Sequence, residues 1–188
     1  MDHAEVNNSR AALLVKVYPF GLIAISLLIN VFVFGIQPLV IALPAPEIID
    51  ALIVAAVLLI GNHSWLMTVT ELTRGRYGLA TTPEEWEAKG GRPQSIEQDA
   101  QDALERRHNA HRNTTENTVY FVLLAAVIAV VSPVALMAQV WIVGFAVARL
   151  GYTYSYLSAQ TGLRGLFMSL TLLSLYGMAS YLAVAMFV

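Results

Sequence analysis

Five mostly apolar stretches, four of them longer than the roughly 20 residues a helix needs to cross a hydrocarbon core of about 30 Å, constrain this 188-residue chain more than any other feature. The first runs from about Val17 to Leu43, with Pro19 near its start and Pro38 near its end, and the PAP at 44–46 closes it. The second begins near Glu47 and runs to a basic knot at Arg74 and Arg76. The third is apolar from about Thr118 to Val131, its helix starting upstream in polar sequence. A tight break at Ser132 and Pro133 leads to the fourth, roughly Val134 to Leu157, and the polar SAQTG separates that from the fifth, roughly Leu163 to Val188. Composition agrees: 57% of residues are hydrophobic and 13% charged, against about 25% charged in a soluble domain. The pattern predicts an all-α, multi-pass membrane protein. The first run is too long for a secretory signal core of about 7–15 residues, and Pro46 directly after Ala45 disfavours cleavage, so it reads as a retained helix.

The segment from Arg74 to Arg112 alone has a water-soluble composition. Thr82, Pro83 and Glu85 have the form of an N-cap, a proline at the first helical position and a capping box, and Gly90 with Gly91 ends that short helix. Ser95 and Gln98 form a second capping pattern, after which no Gly or Pro interrupts the chain until Pro133. One long helix is therefore expected to start in water and end inside the bilayer. All eleven cations, Arg10, Lys16, Arg74, Arg76, Lys89, Arg92, Arg106, Arg107, Arg112, Arg149 and Arg164, fall toward the side shared by the N-terminus, this loop and the turn near Arg164. The positive-inside rule makes that side cytoplasmic, and orientation alone accounts for Arg10, Lys16, Arg74, Arg76 and the loop cations without any site. The formal net charge of −2 gives no basic excess for a nucleic-acid partner. With no cysteine, a disulfide scaffold, a thiolate zinc site and a protein-borne thiol nucleophile are excluded.

Candidate chemistry concentrates in ERRHNAHRNTTEN, residues 105–117, where the long helix enters the apolar layer. Glu105, Asn109, Arg112, Asn113, Glu116 and Tyr120 recur at three- and four-residue spacing and share one helix face. Glu116 lies about one turn inside the apolar boundary, where an ionisable group needs a partner and is a functional candidate by default; Arg112, four residues earlier, is one such partner. A staple of hydrogen-bonded Asn and Glu between helices explains the same spacing. Arg149, Tyr152 and Tyr156 form a second polar stripe, with Tyr154 pointing elsewhere; aromatic anchoring and a snorkelling arginine account for it equally. Arg164 opens the fifth segment, placed to meet lipid phosphate or an anion held in a crevice between helices. His63 has no second ligand at metal spacing and reads as a packed or hydrogen-bonded histidine. His108 and His111 are crowded by Arg106, Arg107 and Arg112, which disfavours a metal site. No phosphate-binding glycine loop, nucleophile elbow or cofactor-attachment motif is present.

The run Glu105, Arg106, Ala110, Asn113, Glu116 resembles the E-R-x-x-x-A-x-x-N-x-x-E signature of the MAPEG family, the membrane-associated proteins in eicosanoid and glutathione metabolism. ARLGYTYSYLSAQTGLRGL, residues 148–166, is similar to that family's arginine, two-tyrosine and S-A-Q…R pattern, with one or two extra residues in the turn, and RGRYG at 74–78 resembles the usual end of its first helix. The resemblance spans about Ile48 to Val188. It implies a MAPEG-like four-helix bundle at 47–188, with a cytoplasmic loop at about 74–104, preceded at 1–46 by a polar segment and one additional N-terminal transmembrane helix. It further implies a homotrimer, glutathione as co-substrate bound between subunits, and a lipophilic second substrate arriving from membrane lipid. By resemblance Arg74, Arg112, Asn113, Glu116, Tyr152 and Tyr156 hold glutathione, and Arg164, with Tyr156, is catalytic, its guanidinium stabilising the thiolate. The expected place is a bacterial inner membrane. Two departures stand out: Asn109 occupies a position often held by Arg in the eicosanoid enzymes, and the turn before Arg164 differs in length. A MAPEG-fold binding or scaffold protein without glutathione chemistry is the alternative expectation. A small multidrug transporter is more remote, because Glu116 lies near the boundary and not at mid-membrane.

Overall fold

The computed structural model describes residues 3–93, 95–131 and 133–188, with side chains from residue 12 onward; the break at Ser132 and the Arg10 side chain fall outside the described residues. Helix α1 (His3–Ile29) continues into a π-helical turn (Asn30–Phe34), and α2 (Pro46–Tyr77), α3 (Pro83–Ala88), α4 (Gln98–Val130), α5 (Ala135–Leu157) and α6 (Thr161–Ala185) follow, with no strand among the described residues. Five of these segments are long and apolar enough to cross a membrane. Their exposed surface is correspondingly greasy, with Leu14, Phe20, Phe32, Ile53, Val57, Leu123 and Phe187 among many apolar side chains turned outward. That pattern, ruinous in water, is ordinary against lipid, and the protein is an integral, multi-pass membrane protein.

The contacts fix the helix directions. Tyr18 meets Ser169, Ser26 meets Ser180 and Asn30 meets Gly177, a nearly constant offset that makes α1 and α6 parallel. Phe121 stacks on Phe145 at 4.2 Å and Arg149 reaches Asn113, so α4 and α5 are antiparallel. Three glycines set the α5–α6 seam: a Cβ on Gly177 or Gly151 would run into the Trp141 or Phe167 ring, while one on Gly144 would sit 3.3 Å from Ser174 Oγ. Ile48, Ala51, Ala55, Phe121, Ile128, Trp141, Phe145, Met178 and Tyr181 form the interior on the side away from the basic residues. Toward the basic end the buried positions turn polar, with Asn62, Thr70, Thr73, Thr114, Asn117, Arg149 and Thr153.

The first span differs from its expected bounds. Its helix begins earlier, at His3, and ends at Phe34 instead of continuing to Leu43. Asn30 is drawn into the bundle, where its amide donates to Gly177 O at 2.7 Å and Ser180 Oγ at 3.0 Å and accepts from Trp141 Nε1 at 2.9 Å. A π-turn at Asn30 and Gly35 at φ 78° then release the chain into an extended strap. The strap crosses the end of the bundle, held by Gln37 N donating to Tyr181 Oη and Ala42 N donating to Val130 O. The Ser95 cap also fails to form: α4 starts at Gln98 after Glu97, with no side-chain cap. At α3 the expectation holds, because Thr82 Oγ1 accepts from Glu85 N while Glu85 Oε2 accepts from Thr81 N at 2.6 Å. The Glu84 N–H and the Thr82 hydroxyl hold the Glu84 carboxyl below the usual carboxylate range, and the Thr81 N–H does the same for Glu85. Gly90 and Gly91, both at positive φ, end α3 as expected. Lys89 Nζ donates to the carbonyls of Gly78 and Leu79, a cation on the free carbonyls at the end of α2.

Candidate functional site

The polar residues collect where the basic end of α4 meets the turn between α5 and α6. At the end of α5 both Ser158 N and its Oγ donate to Tyr154 O. Ala159 takes the left-handed conformation at φ 58°, and Gln160 N returns to Ser155 O at 2.9 Å. Such a backbone costs a non-glycine residue about 1–2 kcal/mol, and here it reverses the chain within three residues. Arg164 therefore falls in the first turn of α6, with its guanidinium 5.1 Å above the Tyr156 ring. The longer turn is thus compatible with bringing this arginine back over the second tyrosine of the stripe.

Arg164 and Tyr156 border a cleft of about 340 Å³ whose other walls are Asp102, Glu105, Arg106, Asn109, Ala159 and Thr161. Two guanidinium and two carboxylate groups face one open, polar space. Such a site suits a zwitterionic ligand carrying both signs of charge. Asp102 is a wall residue that the sequence analysis did not single out, although it lies three residues before Glu105 and extends the same helix face; the face was begun at the signature, one turn too late.

Behind the cleft lies a buried guanidinium. Arg149 is 0% exposed, against the snorkelling expected of an arginine near a helix end. Its Nη2 donates to Asn113 Oδ1 at 3.1 Å and Thr114 Oγ1 at 2.7 Å, and its Cζ lies 4.4 Å from the Tyr152 ring centroid. Tyr152 and Tyr156 follow at 5.5 Å between centroids. Arg149, Tyr152, Tyr156 and Arg164 thus form one continuous stack running from the interior to the cleft.

Other expected site residues lie elsewhere on the protomer. Arg112 and Glu116 are exposed, and they do not pair with one another. Arg112 Nη2 instead donates to Asn109 Oδ1 at 3.0 Å. Arg74, on α2, pairs with Glu71 and approaches His108 Nε2 at 3.3 Å. His63 is exposed and packs edge-on against His111, with ring centroids 5.2 Å apart; its neighbour Asn62 is the buried residue, with neither amide atom hydrogen-bonded. A second groove of about 570 Å³ lies between α2 and α4, lined by Leu59, Ile60, His63, Thr118, Val119 and Val122 among others. It is mostly apolar and open.

No curated protein matches the chain. The sequence model of the MAPEG family does, over residues 52–184, from the second turn of α2 almost to the end of α6. The match takes in the loop, the cleft and the stack, and it leaves α1 and the strap outside. With most of its length and every lining residue of its polar cleft inside that match, the chain belongs to the MAPEG family.

Proposed function

We propose that the protein is an integral membrane glutathione transferase or peroxidase acting on lipophilic electrophiles or lipid hydroperoxides. The observation that carries this reading is Arg164 held on the Tyr156 ring at the mouth of a cleft bearing both signs of charge. Glutathione brings two carboxylates, one ammonium and the thiol that this cysteine-free chain lacks. Its carboxylates suit the arginines and its ammonium suits the acidic residues. A free thiol has a pKa near 8.5. Each unit by which the Arg164 guanidinium lowers it corresponds to about 1.4 kcal/mol of preference for the thiolate.

The sulfur pair then forms a bond to the electrophilic carbon, the leaving group departs with the pair of the broken bond, and the thiol proton passes to water. With a hydroperoxide the sulfur takes the terminal oxygen as the O–O bond breaks, releasing an alcohol. A second glutathione reduces the resulting sulfenic acid, giving glutathione disulfide and water. Arg112 and Glu116, exposed on α4, and Arg74, on α2, complete the site in a homotrimer whose neighbouring copies meet at these faces. Tyr152 and Asn113 stand behind the cleft, against the buried Arg149. The basic end lies in the cytoplasm, where glutathione is available, and the apolar α2–α4 groove is consistent with a second substrate arriving from lipid.

Titrating glutathione calorimetrically into the detergent-solubilised protein tests the binding, and turnover of an aryl halide tests the chemistry. Arg164→Ala is expected to lower kcat by about 10- to 100-fold, the loss of one to two units of thiol activation. An unsubstituted protein that neither binds glutathione nor forms thiolate absorbance refutes the proposal. Asn109, in place of an expected cation, favours a second reading, a membrane scaffold without glutathione chemistry, for which unaltered function in cells lacking glutathione is the expected result.

A further inference from the structure

Arg149 is a full charge sealed inside the bundle, with no carboxylate at ion-pair distance among the described residues. Its Nε and Nη1 are buried without a hydrogen-bond partner. A neutral side chain of similar length would fill the space without the desolvation that a buried cation incurs, so the contacts that the guanidinium does make have to account for it. All of them fall on α4 and on the tyrosine stack. Nη2 divides its protons between Asn113 Oδ1 and Thr114 Oγ1, and Cζ lies 4.4 Å from the Tyr152 ring centroid.

A guanidinium has donors and no acceptor, so Asn113 must turn its amide oxygen inward to meet it. Asn117 Nδ2 points at the same oxygen from 3.5 Å and at Asn113 O from 2.8 Å, reinforcing that choice. The amide nitrogen of Asn113, a half-buried residue, is left to face outward with both protons. A ligand group opposite it must therefore be an acceptor, a carboxylate or a carbonyl. On its other side the guanidinium lies over the Tyr152 ring, next to Tyr156 and Arg164.

We propose that Arg149 is a positioning residue: its buried guanidinium orients the Asn113 amide as a donor toward an anionic or carbonyl group of the ligand. This rests on the glutathione reading above. A purely structural staple between α4 and α5 is the competing role, and it makes different predictions. Asn113→Asp keeps the inward acceptor and gives Arg149 a carboxylate partner but removes the outward donors. It is expected to weaken glutathione binding at least tenfold with thermal stability unchanged or raised. Arg149→Lys keeps the charge and loses the planar contact; it is expected to raise KM for glutathione about tenfold while kcat stays within about threefold. In an Asn113→Ala background the same lysine substitution is expected to change KM less than twofold. Thr114→Val removes only the second acceptor and leaves the Asn113 contact, so it is expected to alter the glutathione Kd less than twofold, a result readable even if the Arg149 variant does not fold. Additive effects of Arg149→Lys and Asn113→Ala on KM, or a tenfold loss from Thr114→Val, overturn the positioning role while leaving the glutathione reading intact. Absence of glutathione binding to the unsubstituted protein overturns both.

Discussion

Replacing Asn30 with leucine tests how the first helix is attached. Asn30 is 0% exposed and makes three hydrogen bonds to α5 and α6, to Gly177 O, Ser180 Oγ and Trp141 Nε1. Leucine has the same branched skeleton and is somewhat bulkier, so the substitution deletes the bonds without opening a cavity. Gly177 O retains its place in the helix ladder and Ser180 Oγ retains Gly177 O and Ser26 as neighbours; the Trp141 indole N–H is left buried and alone. Interhelical hydrogen bonds in membrane proteins average about 0.6 kcal/mol each, so three of them amount to about 2 kcal/mol. That is about a 30-fold change in the folding equilibrium. Titration from mild detergent into dodecyl sulfate, followed by far-ultraviolet circular dichroism, reads this directly. Trp141→Phe removes the same indole donor, and the double-mutant cycle isolates that one bond at about 0.6 kcal/mol of coupling. A loss below about 0.5 kcal/mol for Asn30→Leu, or full additivity with Trp141→Phe, refutes the idea that Asn30 anchors the π-turn and the strap behind it.

Gly177→Val is expected to destabilise by about 1–3 kcal/mol, the usual cost of overpacking, because the new Cβ meets the rigid Trp141 ring; the dodecyl sulfate titration should show it, whereas Gly144→Ala, whose Cβ meets only the Ser174 hydroxyl at a tight 3.3 Å, should cost less than Gly177→Val. The lowered pKa of Glu85 has a definite sign: its carboxylate contributes stability that is present above the unfolded value of 4.5 and is lost as pH falls through the lower folded value. Hydrogen exchange of the Thr81 and Glu85 amides, corrected for intrinsic rates, should therefore lose protection as pH falls below 4.5, and Glu85→Gln should abolish that dependence.

How far the sequence foretold this molecule depended on whether the deciding force was local. The spans at α2, α4, α5 and α6 follow from apolar length alone, a property each segment carries by itself. So does the cap at Thr82, where donor and acceptor are three residues apart. The end of the first span is different. Nothing near Asn30 marks a π-turn, because the turn is set by Trp141 and Gly177, more than a hundred residues away. Ser95 had the residue types of a cap, yet α4 begins after Glu97 in a backbone that leaves it outside.

The site divides along the same line. Tyr152, Tyr156 and Arg164 could be anticipated as a group because two share a helix face and the third follows a short turn. Asn113 belongs to the polar face and signature of α4 and Arg149 to the polar stripe of α5, where snorkelling at the membrane interface is the competing account of an arginine. A one-dimensional pattern ranks an arginine by its distance from a helix end, and Arg149 is close enough to that end for water to be the cheaper destination. It turns inward because Asn113 and Thr114 on the antiparallel helix offer two oxygens at its depth and Tyr152, one turn away on its own helix, offers a π-face. Two of those three partners are separated from it by more than thirty residues, so the burial is a property of the α4–α5 register and not of either helix. The same register leaves the expected Arg112 and Glu116 exposed on α4, beside a cleft whose cations come from α4 and α6 and in front of a charge no helical wheel would have turned inward.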